Sequence, residues 1–149
     1  KITWQPLTTK VETLMSGGIE LKELKPGGSA GILTKLDPSL VKSDSLTGSV
    51  VGLKDKLPDI WHEFTLKPVL LERVVGSKEE LKVEPIKKTE ILMLNVNSAA
   101  TVGIVSELKK DLIHVKLKIP VCSNLQDRIT ISRRIGNRWR LIGYSNIVK

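Results

Sequence analysis

Cysteine occurs once in the 149 residues, histidine twice, and phenylalanine and tyrosine once each. A lone Cys122 excludes an internal disulfide. His62 and His114 stand far apart in sequence, and neither lies at metal-ligand spacing from Cys122, so no metal site is expected. With aromatic residues at 3%, few rings are left on which bases could stack, which argues against sequence-specific base readout. No apolar run reaches the length of a membrane-spanning helix, and no membrane partner is expected. No secretory hydrophobic segment opens the sequence, which together with the single thiol fits a reducing, cytoplasmic setting.

What is abundant is alternation. Val, Ile, Leu and Thr recur at period two, with turn residues at short intervals, which reads as an all-β chain of short strands forming sandwiches or closed barrels. Strands are expected at 7–14, 19–24, 29–34, 49–53, 63–71, 90–96, 99–108, 112–117, 128–133 and 139–148. Ser16-Gly17-Gly18, Lys109-Lys110-Asp111 and Gly136-Asn137 each separate two alternating runs and read as hairpin turns. Helix is nearly absent: Ser77 to Glu80 fits a capping box for one turn, and Asp37-Pro38-Ser39-Leu40 fits a turn or short 3₁₀ segment. A charged, proline-ended stretch, Lys54 to Pro58, divides the chain into 1–57 and 58–149. The first piece is near the size at which a core becomes marginal by itself. It therefore reads as an incomplete domain, and the abrupt start at Lys1 without Met reads as a fragment.

The formal net charge is +8, which favours an anionic partner. Much of it gathers at the end: the last 22 residues hold five arginines and one lysine with no Asp or Glu. A three-residue connection, Ile135-Gly136-Asn137, would set Ile131 opposite Leu141 and Arg133 opposite Trp139. Arg134, Arg138 and Arg140 would then share a solvent face with Thr130 and Ser132. A two-residue loop would place Arg140 among Ile131 and Ile142, so burial favours the longer loop. Guanidinium forks suit bidentate contact with phosphate or carboxylate. Contact with RNA would be to backbone and shape.

No catalytic set emerges. Asp111, Asp127, Glu107 and Glu90 could pair as acid and base, but nothing distinguishes them from ordinary surface carboxylates. Cys122, after Pro120-Val121, reads as a small buried hydrophobe. The cluster from Lys25 to Gly31 lacks a Gly-Lys-Ser/Thr ending and leads into strand-like Ile32-Leu33-Thr34 rather than a helix. It therefore reads as a turn and not as a phosphate loop.

Several stretches together resemble the gamma subunit of archaeal and eukaryotic translation initiation factor 2, with a more archaeal look. They are Lys25-Pro26-Gly27-Gly28 with Gly31-Ile32, Leu36-Asp37-Pro38-Ser39-Leu40, Gly48 to Gly52, Leu70-Leu71-Glu72-Arg73-Val74-Val75-Gly76, Leu92 to Val96, Ile131-Ser132-Arg133-Arg134, and Arg138-Trp139-Arg140-Leu141-Ile142-Gly143-Tyr144. The resemblance implies two antiparallel β-barrels of the translational-GTPase second- and third-domain type. Residues 1–57 would be the end of the second, incomplete, and 58–149 the whole third. GTP and magnesium would belong to a GTPase domain outside this sequence, leaving no cofactor and no enzyme activity here.

The implied partners are initiator methionyl-tRNA, the alpha and beta subunits, the small ribosomal subunit and the subunit's own GTPase domain. By comparison with the related elongation factor Tu, Lys35 takes the place of an arginine that contacts the 5′ end of tRNA. Gly27 and Gly28 are candidates for tRNA or alpha-subunit docking, and Arg134, Arg138 and Arg140 for RNA phosphates. The alternative is a protein-interaction barrel whose basic hairpin braces the GTPase domain. The sequence departs from the family's glycines at Leu33, Asn97, Gln126 and Ser145, where loop shape is expected to differ; Asn tolerates positive φ more readily than Gln.

Overall fold

The computed structural model describes residues 6–76 and 81–148; the expected capping box at Ser77 to Glu80 lies outside them. The chain separates into two compact units, Lys1–Leu46 and Thr47–Lys149.

The smaller unit is a three-stranded antiparallel sheet ordered β2-β1-β3, from β1 (Val11–Ser16), β2 (Ile19–Leu21) and β3 (Gly31–Thr34). Gly17 and Gly18 make the β1–β2 turn with φ of 59° and 80°. A two-residue hairpin of this hand requires positive φ at both central positions, where glycine carries no steric penalty. Asp37 caps α1 (Pro38–Val41) by accepting a 2.8 Å bond from the Ser39 amide, and that bond holds its exposed carboxyl below the usual value. The Asp-Pro-Ser-Leu segment is thus one helical turn, followed by a 3₁₀ turn at Lys42–Asp44.

The larger unit is a barrel. Its strands are β4 (Ile60–Leu66), β5 (Val69–Leu70), β6 (Ile91–Val96), β7 (Ala99–Lys109), β8 (Leu112–Cys122), β9 (Ile129–Ile135), β10 (Arg138–Ser145) and β11 (Ile147–Val148), in the order β11-β4-β8-β7-β6-β9-β10-β5. The end strands close the sheet. β5 continues β4 past Lys67-Pro68, and β11 continues β10 past Asn146. The pairs Leu70–Gly143, Val69–Tyr144, Leu66–Ile147 and Thr65–Val148 fall in one antiparallel register. Six continuous chain segments therefore form a ring without a free edge. Gly143 permits the closure: a Cβ there would lie 2.5 Å from the Val69 carbonyl oxygen.

Alternation turns one face of each strand inward. Phe64 and Leu66 of β4, Leu92, Leu94 and Val96 of β6, Val115 of β8, Ile129 and Ile131 of β9 and Ile142 of β10 fill the interior. Gly103 of β7 makes room for the Val115 side chain, which a Cβ would meet at 2.3 Å.

The strand expected at 49–53 does not form. That segment joins neither sheet and runs into a turn in which the Lys56 amide donates to the Leu53 carbonyl, with Asp55 at φ 61°. Alternation there had no partner strand to pair with.

Candidate docking surface

The arginine hairpin differs from its expected register. Gly136 and Asn137 alone form the turn, and Arg138 pairs with Ile135, Trp139 with Arg134, Arg140 with Arg133 and Leu141 with Ser132. The register then shifts between Leu141 and Gly143, so that Ile131 faces Gly143. A β-bulge supplies the extra residue. The burial argument for a three-residue loop assumed an unbroken ladder; with the bulge, Ile142 stays in the core under a two-residue turn. Faces change accordingly. Arg134 lies beside Trp139 on the outer face, while Arg138 and Arg140 share the side of Arg133 and Ile135. The three arginines do not form one face.

Arg133 is committed internally. Its Nη2 donates to Glu90 Oε2 at 3.1 Å and its Nε to the other carboxylate oxygen, while Nη1 and Nη2 also reach the Glu84 and Pro85 carbonyls at 2.9 and 3.1 Å. Both side chains are largely covered, at 17% and 16% exposure. This bidentate pair fastens the segment leading into β6 to β9. Arg140 is half-buried, its Nη1 set where a Cβ on Gly76 would come within 2.8 Å. Arg134 and Arg138 are exposed, so of the three expected to point to solvent, Arg140 does so least. Arg128 stacks on the Tyr144 ring, 4.8 Å from its centre.

The remaining candidates belong to the smaller unit. Lys35, just beyond β3, stands 3.5 Å from Glu12 with its side chain 68% exposed. Gly27 and Gly28 form an open turn before β3, with φ of 106° and 89° and no atom within 4 Å of an added Cβ. They sit at the opposite end of β3 from Lys35. The Ser16 hydroxyl donates to the next carbonyl, Ser29, at 2.9 Å.

Among the described residues no three His, Cys, Asp or Glu side chains converge as a metal site. His114 is placed between Thr65, at 3.2 Å from Nδ1, and Glu63, at 3.6 Å from Nε2. Cys122 is half-buried rather than buried, its thiol donating to the Pro58 carbonyl at 3.0 Å. Burial, with Asp59 and Asp127 nearby, raises its pKa, which disfavours the thiolate.

Asp127 gathers one end of the barrel. It accepts from Asn97 Nδ2 at 2.8 Å, the Asn124 amide at 2.9 Å and the Ser123 hydroxyl at 3.1 Å. These bonds, that from Asn97 first, hold its carboxyl below the usual value. Asn97 adopts φ 52° in the β6–β7 turn, the conformation expected where a glycine is replaced by Asn. Gln126 is not among the positive-φ residues; a turn closed by the Asp127 amide on the Asn124 carbonyl avoids the need.

The larger unit is thus a closed antiparallel β-barrel module with short hairpins, one of them arginine-bearing and exposed at its tip. The family model described as "Initiation factor eIF2 gamma, C terminal" matches residues 62–147, and the chain belongs to that family. Curated relatives described as translation initiation factor 2 subunit gamma include those of Methanocaldococcus jannaschii and Thermococcus kodakarensis, each 52% identical over 147 residues. That of Pyrococcus abyssi is 54% identical over 147 residues. Each alignment covers 99% of this chain and 36% of the relative, so the chain spans about a third of their length.

Proposed function

We propose that the chain is the C-terminal β-barrel portion of a translation initiation factor 2 gamma subunit, working in the cytoplasm as a non-catalytic scaffold. In this reading it offers docking surface to initiator methionyl-tRNA and to the alpha and beta subunits within a GTP-dependent complex bound for the small ribosomal subunit. Residues 1–57 are the end of the second barrel and 58–149 the third, with GTP and magnesium held elsewhere in the subunit. The family match carries the reading. Lys35 and the Gly27-Gly28 turn remain the candidates for tRNA or alpha-subunit contact, and Arg134, Arg138 and Arg140 for RNA phosphates. The exposure of Arg134 and Arg138 supports the phosphate role; in a second reading the same guanidinium forks meet carboxylates and the hairpin braces the subunit's GTPase domain.

Salt separates these readings. Phosphate contacts release counterions and weaken steeply as salt rises, whereas a packed protein contact is screened less. The test is a titration of this chain with initiator tRNA at low and physiological salt, repeated after Arg134→Ser, Arg138→Ser and Arg140→Ser together. Steeply salt-dependent binding that the triple change weakens supports an RNA surface. Absent or salt-insensitive binding supports the brace.

A further inference from the structure

The outer face of the barrel across β7, β6, β9 and β10 carries an apolar band that the family reading does not use. Ile91 and Ile104 are direct cross-strand partners and remain 53% and 50% exposed. The register that pairs Leu92 with Arg133 brings Arg134 to the level of Ile91, and Arg134 in turn faces Trp139. One step along, Val102 pairs with Met93, Met93 with Ser132 and Ser132 with Leu141. Two adjacent rows of outward side chains are therefore mostly apolar where a solvated strand face would be polar.

The border is basic. Lys116 pairs with Ile104, and Thr101 Oγ1 exchanges hydrogen bonds with both backbone groups of Ile119 at 2.7 and 3.2 Å. That register sets Lys118 beside Val102. At the Ile91 end, Lys88 and Arg134 line a cleft of about 370 Å³ together with Glu84, Lys87 and Glu90. The acids of that cleft are already engaged, Glu84 with Lys87 and Glu90 with Arg133. Among the described residues no ion pair occupies Lys88, Arg134, Lys116 or Lys118.

We infer that this face docks an acidic amphipathic segment of a partner protein, its apolar side chains on the Ile91–Ile104 band and its carboxylates on Lys116, Lys118, Lys88 and Arg134. Charge complementarity chooses the occupant: Lys88, Arg134, Lys116 and Lys118 border an apolar centre and outnumber the acids beside them. Of those acids, Glu84, Glu90 and Glu107 are held by Lys87, Arg133 and Lys109, leaving Glu63, the cross-strand partner of Lys116, beside His114. Branched aliphatic side chains give a nucleic acid neither a phosphate partner nor a stacking plane, and nucleic-acid interfaces are polar and wet. Met, Trp and Arg are residues enriched in protein interfaces. This inference shares Arg134 with the phosphate role proposed above, but its Ile91–Ile104 centre and its lysines stand outside the arginine hairpin.

The test uses this chain and a fluorescein-labelled synthetic peptide in which Glu alternates with Leu and Phe. Controls are the same peptide with Lys for Glu, and initiator tRNA as competitor. The acidic peptide binds and the basic one does not. Ile91→Asp with Ile104→Asp weakens binding at least about tenfold at unchanged thermal stability. Should that pair disturb folding, Ile91→Ser with Ile104→Ser gives the same loss more mildly. Absence of acidic-peptide binding, or binding indifferent to both pairs, overturns the inference. Loss of tRNA affinity in the double variant overturns it in favour of RNA. Self-association of the chain that the double variant abolishes overturns it in favour of a second copy.

Discussion

The small sheet and the barrel are written in the same alternating Val, Ile, Leu and Thr, yet every buried side chain among the described residues lies in the barrel, and none between residues 6 and 60 is buried. In the small sheet Val11, Met15, Ile19 and Ile32 all remain substantially exposed; in β6 and β9, Leu92, Leu94, Ile129 and Ile131 are sealed. Period-two patterning makes a strand, but only closure gives its apolar face something to pack against. The barrel achieves this through the single register that joins β4–β5 to β10–β11.

Truncation sharpens the contrast most. Leu94→Ala should cost about 2–5 kcal/mol, combining lost burial with a cavity. Ile32→Ala should fall within about 0.5 kcal/mol, as for surface changes. Denaturant unfolding of this chain measures both, and equal losses would dissolve the distinction. Glycines repeat it: Gly103→Ala drives a Cβ into Val115 and should cost about 1–3 kcal/mol through overpacking. Gly17→Ala meets open space and should cost about 1 kcal/mol through its positive φ alone.

Ion pairs divide in the same way. Glu90→Gln leaves Arg133 covered and short of its carboxylate, an expected loss of about 1–3 kcal/mol. Glu12→Gln removes the exposed partner of Lys35 and should change stability by less than about 1 kcal/mol. The effect of Asp127 is read from its pH dependence. Its folded carboxyl is depressed chiefly by the Asn97 bond, so its stabilising contribution is full above the ordinary carboxylate pKa. That contribution is lost as pH falls through the lower folded value, below about 4. The difference in melting temperature between the chain and Asp127→Asn should hold steady from neutral pH down to about 5 and shrink below about 4; a gap independent of pH would assign Asp127 no such role.

The barrel strands were legible because burial enforces period two, and the hairpin turns because Gly17-Gly18 and Gly136-Asn137 interrupt the alternation. The Ser49–Leu53 strand failed for want of a partner, which no local pattern records. The arginine face failed because one bulged residue at Leu141–Gly143 turns the tip-side side chains of β10 to the opposite face, leaving Arg134 of β9 on the outer one, and a bulge has no residue signature of its own. The Glu90–Arg133 pair joins residues distant in sequence and was invisible for that reason. The outer band did leave a trace: in Ile91-Leu92-Met93-Leu94 the outward positions are as apolar as the inward ones.

Native-state amide exchange of this chain tests most directly the claim that the closed barrel is the rigid platform on which docking is built. The amides of Leu92, Leu94 and Ile131 should exchange only through global unfolding, while those of Leu14 and Ile32 exchange through openings of far lower free energy. Equal protection in β1, β3, β6 and β9 would contradict the account.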